Sequence, residues 1–428
     1  MTIGLLGCGT VGGTFVELLA ARRSAIEART GIDLRIGAIA VRSPDKHRDR
    51  VPDPSTLTTD TAAVVGDPGI DLVVEVMGGI EPARSLIIEA LNAGKSVVTG
   101  NKELLATHGP ELYALAATNE VDLLFEAAVA GGIPLIRPLR ESLVGEQVTR
   151  VMGIVNGTTN YILTQMTQHG AAYADALAEA QRLGYAEADP TADVEGHDAG
   201  AKAAIIASIV FGASVRAVDV HHEGISAITP TDIEMASRLG YVIKAVAVVE
   251  GEASGADAGP EVAVRVHPAM IPSGHPLAAV NDSFNAVFVE GASVGDLMFY
   301  GRGAGGGPTA SAVLGDVVDA AVNRANGTAG VIGRLSAARV RSNDELSSAF
   351  YLSIEVVDRP GVLARVAAVF GDQGVSIRSM EQHGRGDDAE LVFITHESQE
   401  AAVRATIEAL GELDAVIRVN SLLRVVGG

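Results

Sequence analysis

Thr2-Ile3-Gly4-Leu5-Leu6-Gly7-Cys8-Gly9-Thr10-Val11-Gly12-Gly13 opens the chain, and its reading decides the fold. Residues 2–6 have the length and apolar character of a buried strand. An amphipathic helix follows, with Val11, Phe15, Leu18 and Leu19 on one face. Between them lies G-x-G-x-x-G in the setting that gives it meaning, after a strand and opening a helix. Gly7 suits the tight turn, Gly9 lets backbone approach a pyrophosphate, and Gly12 lets the helix pack on the sheet. The helix N-terminus at Thr10 and Val11 adds N–H donors and the positive end of a dipole. The spacing predicts a dinucleotide-binding α/β domain, the alternative being a glycine-rich turn without a ligand. Cys8 reads as a small packing residue.

The second strand, 33–41, lacks an acid at its C-terminal end, where Arg42-Ser43-Pro44-Asp45-Lys46 stands instead. An acid there would bind the ribose 2′-hydroxyl of NAD, whereas a guanidinium accommodates the 2′-phosphate of NADP. This predicts NADP, with Arg42 first and Lys46 second; NAD stays possible, and the rival reading is a solvated turn. Further strands are expected at 71–77, ending in Gly78-Gly79, and at 96–99, with a helix over 82–93 between them. Ligands in open α/β sheets sit beyond the carboxyl ends of strands. Thr99 and Lys102, at the end of the 96–99 strand, are therefore expected to line the site. A strand from Leu123 bends at Gly131-Gly132-Ile133-Pro134, which marks the end of a first domain, 1–134.

The bulk numbers bound the rest. A chain of 428 residues has room for two or three domains. Its 53 acidic against 32 basic residues give a net charge of −21, which argues against nucleic acid and anionic membranes as partners. One cysteine excludes a disulfide framework and a cysteine-cluster metal site. With no signal peptide ahead of the first strand and no apolar run long enough for a bilayer, a cytoplasmic location is expected.

A second, α+β domain is expected over 135–302. It contains a strand at 149–156, a polar turn Gly157-Thr158-Thr159-Asn160 capping a helix at 161–168, a helix at 171–183, and strands at 241–250, 261–267 and 284–291. Gly251–Gly259 reads as a small-residue loop. The richest stretch is Leu183-Gly184-Tyr185-Ala186-Glu187-Ala188-Asp189-Pro190, continuing through Asp193 and Asp198 to Lys202. Asp198 and Lys202 are four apart, so a helix puts them on one face. Burial lowers a lysine's pKa and carboxylates raise it, which is how a proton donor is tuned. A salt-bridged helix start with a solvated acidic loop is the plainer reading. His197, His221 and His222 lack metal-ligand spacing and read as ordinary polar residues.

A second glycine loop, Gly301-Arg302-Gly303-Ala304-Gly305, precedes a helix at 309–323, with Pro308 near its start, that is expected to return to the first domain over 303–325. Residues 326–348 read as a connector. From 349 to 428 the order is strand–helix–strand–strand–helix–strand, a ferredoxin-like split βαβ. Asp358-Arg359-Pro360-Gly361 there opens a helix whose N–H groups suit a carboxylate.

Laid out together, these motifs resemble the homoserine dehydrogenases that carry a C-terminal ACT domain. The likeness rests on the opening glycine loop, Thr99-Gly100-Asn101-Lys102, Asn156-Gly157-Thr158-Thr159-Asn160, the 183–202 stretch and Tyr300–Ser311, and it covers nearly the whole chain. It implies a Rossmann-type cofactor domain, a central catalytic and dimerisation domain and a regulatory ACT domain. It also implies reversible NAD(P)-dependent interconversion of L-homoserine and L-aspartate 4-semialdehyde, on the way to threonine, methionine and isoleucine. Lys202 then resembles the proton donor and Lys102 a second lysine beside the cofactor. Glu187 and Asp198 resemble substrate holders, with Asp193 supporting the lysine and Asn156 and Thr158 assisting. Glu126, Val129, Gly131 and Ile133 match a sodium site built largely of backbone carbonyls, and Gly303 resembles a cofactor contact. Feedback by threonine through the ACT unit and a homodimer or homotetramer are expected, with a purely structural pairing module as the rival reading. An aspartate-semialdehyde-type oxidoreductase would need a cysteine nucleophile, and Cys8 is committed to the glycine loop. An NADP-binding amino-acid sensor without catalysis would have no use for Lys102 and Lys202.

Overall fold

Strands Thr2–Leu6, Arg35–Ala40, Leu57–Thr58, Leu72–Glu75, Ser96–Thr99 and Leu123–Leu124 form one sheet, in the order third, second, first, fourth, fifth, sixth. Every pairing in it is parallel. That is the doubly wound dinucleotide-binding order, and its switch point lies between the first and fourth strands. These strands are continuous apolar runs because both faces are covered. The protein is described here by a computed structural model covering residues 1–252, 259–330, 332–333, 335–385 and 387–427. Most of the loop read at Gly251–Gly259, namely 253–258, falls outside the described residues.

Helix Thr10–Thr30 leaves the first strand and stops at Gly31, in the left-handed conformation, whose amide donates to Glu27. Its apolar face, with Phe15, Val16 and Leu19, packs against Val313, Leu314 and Val317 of helix Gly306–Asn326. The chain thus comes back to the first sheet after building the strands from Val148 to Arg302.

Ser336–Ala337 pairs with Ala213–Ser214 in a small third sheet, and a second, mixed sheet carries the other long strands. Its central order is Gly295–Arg302, Phe284–Gly291, Val148–Ile154, Tyr241–Glu252 and Glu261–Pro272. Helices Gly157–His169 and His197–Phe211 pack against it. The sheet continues through Val416–Val425 into Ser347–Val357, Asp388–Thr395 and Ile377–Arg385. Within that last group the order is fourth, first, third, second, the ferredoxin-like arrangement. Helices Val362–Asp372 and Glu400–Gly411 cover one face, over a core that includes Phe350, Ile354, Phe370 and Phe393.

The join between the two parts is a parallel pairing of Ala269 with Arg424 and Met270 with Val425. Arg424 is buried there, with two N–H groups on the Glu223 carboxylate at 2.7 Å each and others on Glu400. A guanidinium suits the position because its fork meets carboxylates in pairs.

Three expectations change. The run Gly157–Asn160 is the first turn of the helix rather than a turn before it, since Asn156 is the N-cap and its Oδ1 accepts from Thr159 N at 2.9 Å. Strand Gly295–Arg302 is an addition to the expected elements: it lies at an edge, and its outward face mixes Asp296 and Arg302 with Met298 and Tyr300, so no polar–apolar alternation marks it. The 326–348 segment is not a bare connector: Arg339 and Val340 pair with Glu261 and Val262, adding to the large sheet.

Candidate active site

The nucleotide loop shows why three glycines are needed. Gly7 has φ +99°, and a Cβ there would lie 2.9 Å from the Val76 carbonyl oxygen. A Cβ on Gly12 would stand 2.2 Å from the Gly7 carbonyl oxygen, so helix and turn touch directly. A Cβ on Gly9 would meet nothing within 4 Å, leaving that face open for a ligand. Thr10 is exposed and Val11 half-buried at the helix start. Gly306, which begins the returning helix, lies so close that its Cβ would meet Thr10 Cγ2 at 3.0 Å. Two helix N-termini therefore flank one opening, a donor-rich setting for phosphate.

Gly7 N donates to Ala40 O at 3.0 Å, which brings the end of the second strand beside this loop. Arg42 and Lys46 follow it, exposed, and their side chains make no hydrogen bond or ion pair among the described residues. Thr99 is turned inward: its hydroxyl donates to Glu75 Oε2 at 2.6 Å and accepts from Asn101 N at 3.0 Å. It shapes the strand end, and its hydroxyl does not face the opening.

Beyond the loop lies a cleft of about 940 Å³, bordered by Lys102 on one side, Gly303 to Gly305 on another, and residues 156–158 and 183–202 below. Lys202 is 8 % exposed. Its ammonium donates to Val155 O at 2.6 Å and to Asp198 Oδ2 at 2.7 Å. The other oxygen of Asp198 is paired with Lys102, whose side chain is 45 % exposed and comes from the cofactor-domain side. Burial pulls the Lys202 pKa down, while Asp198 pulls it up and Lys102 adds to the lowering. The Asp198 carboxyl is penalised by its own burial, but the two lysines outweigh this and hold it well below the usual carboxylate range.

Asn156 organises the acids. Its Nδ2 donates to Asp193 Oδ1 at 2.7 Å and to Asp198 Oδ2 at 2.9 Å, while its Oδ1 caps the helix. Asp193 therefore supports Lys202 through Asn156 and through charge, without touching it. The Thr158 hydroxyl donates to Tyr185 O at 2.8 Å and anchors the 183–187 loop. That loop carries Glu187 at the rim, exposed to the cleft.

Comparisons with known proteins identify the family. Family models described as homoserine dehydrogenase, its NAD-binding domain, and the ACT domain match residues 134–318, 7–126 and 350–415. A homoserine dehydrogenase of Corynebacterium glutamicum is 50 % identical, covering 99 % of this chain and 95 % of its own. The chain belongs to the homoserine dehydrogenase family. The Bacillus subtilis homoserine dehydrogenase is 40 % identical over 99 % of this chain and 98 % of its own. The solved homoserine dehydrogenase of Thiobacillus denitrificans superposes with a TM-score of 0.92 at 41 % identity, covering 99 % of this chain and 98 % of that one. Membership makes the protein an oxidoreductase with an NAD(P)-binding domain, a catalytic domain and an ACT domain.

The homoserine dehydrogenase resemblance also implies a cation near Glu126, and the residues fit one in an unexpected way. The Glu126 carboxylate is engaged by the backbone amides of Leu135, Ile136 and Arg137. It caps that helical turn, so the reading of its side chain as the recognisable ligand gives way. The backbone carbonyls of Glu126, Val129, Gly131 and Ile133, all in buried residues, receive no backbone amide among the described residues. Buried carbonyls are almost always partnered, and a hard cation is a suitable partner.

Two cleft-lining residues, Asn285 and Arg302, and the fully buried Glu75 escaped the sequence reading. Asn285 is buried with its Oδ1 unpartnered, and its amide lies 2.1 Å from where a Gly303 Cβ would be. Arg302 has its guanidinium 5.4 Å from the Phe284 ring centre. Glu75 accepts from Met77 N and Gly78 N and ties the fourth strand's end to Thr99. Arg302 stood within a motif already quoted; for Asn285 and Glu75 the sequence holds no signal, because each matters through a partner far away in the chain.

Proposed function

We propose that this homoserine dehydrogenase family member reduces L-aspartate 4-semialdehyde to L-homoserine, reversibly, with NADP preferred over NAD. The observation that carries the reading is the Lys202–Asp198–Lys102 bridge at the mouth of a cleft bordered by the second glycine loop. The nicotinamide cofactor supplies the hydride when bound. The Lys202 ammonium faces the oxygen on which alkoxide charge develops, stabilises it and donates the proton. Asp198 keeps both lysines in place and orients the substrate's polar groups; Lys102 adds positive charge beside the reacting oxygen. Glu187 on its loop meets the substrate ammonium. Asn156, Asp193 and Thr158 hold this arrangement.

Gly7, Gly9, Thr10, Val11, Gly12, Thr99 and Gly303 bound the cofactor, with Arg42 and Lys46 at a 2′-phosphate. One related structure supports the choice of nucleotide: a hyperthermophilic archaeal homoserine dehydrogenase solved with NADPH, 29 % identical with a TM-score of 0.64, covers 75 % of this chain and 97 % of that one. A sodium ion would be held by the carbonyls of Glu126, Val129, Gly131 and Ile133. The product feeds threonine, methionine and isoleucine synthesis in the cytoplasm, and threonine binds at the ACT unit of a homodimer or homotetramer. No described helix is long and apolar enough to cross a membrane, in keeping with that location. The test is oxidation of NADPH by the purified protein on addition of aspartate semialdehyde, with and without threonine; absence of semialdehyde-dependent turnover would refute the reading.

A further inference from the structure

Lys244 is out of place by any composition rule. It sits in the middle of strand Tyr241–Glu252, is 1 % exposed, and its ammonium meets no carboxylate among the described residues. Its partners are three neutral oxygens: Asn160 Oδ1 at 3.1 Å, Asn281 Oδ1 at 3.4 Å and the Val280 carbonyl. An ammonium has three protons, and three acceptors are provided. An apolar side chain would occupy the site without the cost of burying a charge. The lysine must therefore do something geometric.

The partners belong to two segments. Asn160 lies in the first turn of helix Gly157–His169; Val280 and Asn281 lead into the loop before strand Phe284–Gly291. Asn160 Nδ2 donates to Val280 O at 3.2 Å and to Phe284 O at 3.1 Å. Asp282, with φ +56°, donates its amide to Thr164 Oγ1 at 3.1 Å. Gly157 lies so close that a Cβ would come within 2.8 Å of the Ser283 carbonyl oxygen. The loop is thus pinned along the start of the helix, with the Lys244 ammonium under the joint. Both segments face the cleft, through Asn156, Gly157 and Thr158 on one side and Ser283 and Asn285 on the other.

We infer that Lys244 is a positioning residue for the substrate cleft: its ammonium fixes the spacing between the 156–160 turn and the 280–284 loop. The seat of Asn156, and through it Asp193 and Asp198, depends on that spacing. The inference rests on the cleft being the reaction site proposed above.

The test is steady-state kinetics of Lys244→Met, which keeps the length and loses the donors, and Lys244→Gln, which keeps one amide donor. The wild-type enzyme serves as control, so a failure of the functional reading shows as an inactive control. The expected result is a rise in the semialdehyde KM or a loss of kcat of about tenfold or more for Lys244→Met, since small misplacements are amplified in turnover. The NADPH KM should stay within twofold, and Lys244→Gln should recover part of the loss. A purely structural role would lower the melting temperature and leave both constants of the folded enzyme unchanged, and that result overturns the inference. If Lys244→Met does not fold, Lys244→Gln and Asn281→Ala decide: semialdehyde constants within twofold of wild type in both would equally overturn it.

Discussion

Asp198 and Lys202, one helical turn apart, meet at 2.7 Å with both side chains under 10 % exposed, while the other oxygen of Asp198 reaches across to Lys102. One carboxylate thereby sets two ammonium groups that come from different parts of the chain. Removing the buried one removes the proton donor. Lys202→Ala is expected to leave NADPH binding intact and to lower kcat by about 10²–10⁴-fold, the usual contribution of general acid–base catalysis. Turnover near that of wild type, with NADPH affinity retained in fluorescence titration, would end the assignment.

Glu187 differs from the other acids because it stands at the rim with no partner inside the protein among the described residues. Its loop is already held by the Thr158–Tyr185 bond and by Gln181 Nε2 on the Glu187 carbonyl at 3.0 Å. Glu187→Ala should therefore keep the fold and act on substrate binding. The expected outcome is a raised KM for homoserine and an unchanged KM for NADPH; the reverse pattern would contradict its role.

Arg42 tests the nucleotide preference. Exposed beside the glycine loop, and with its side chain unpaired among the described residues, it is available to a 2′-phosphate without first breaking one of their contacts. Arg42→Ala should raise the NADPH KM and leave the NADH KM nearly unchanged, with salt weakening NADPH binding less in the variant than in wild type. Equal effects on the two cofactors would remove the 2′-phosphate from the argument.

Much of this was legible in the chain itself, for a physical reason. The opening loop and the Asp198–Lys202 pair are local: strand, turn and helix positions follow from spacing within about a dozen residues. What could not be read depends on contacts between distant segments. Asn156 looked like the last residue of a strand, because only the fold brings Asp193 and Asp198 to its amide. Glu126 looked like a carboxylate ligand, because nothing local shows that three amides nine to eleven residues on will occupy it. Arg424 sits in an unremarkable strand, and its significance comes from Glu223, some two hundred residues earlier.

That arginine leads to a prediction about the C-terminal unit. Val416–Val425 is an interior strand of the large sheet, so cutting the chain near residue 347 would uncover Ala269 and Met270 of Glu261–Pro272 and leave Glu223 without Arg424. A truncated protein is expected to be unstable, and the role of the ACT unit is better probed in the full chain. Arg424→Met should lower stability by about 3–5 kcal/mol, the usual cost of removing one member of a buried ion pair. Urea denaturation gives the number; a loss below about 1 kcal/mol would show that the junction is held by its apolar contacts alone.

Lys244 makes stability depend on pH in a way that few lysines do. Burial lowers its pKa from 10.5 to about 8, opposed only by the charge of Asp282. In the unfolded chain the same group stays mostly protonated until about pH 10. Between about pH 8 and 10.5 the unfolded state therefore binds more protons than the folded one, and stability attributable to this group rises with pH across that window. Below about pH 8 the lysine is charged in both states and its burial penalty is felt in full. Lys244→Met has no such group, so the difference in unfolding free energy between wild type and variant should shift in favour of wild type from pH 7.5 to pH 10. Urea titrations of the two proteins at those pH values isolate this contribution, because every other titrating group is common to both. A difference that does not move with pH would mean that the ammonium is better solvated than its three neutral partners allow.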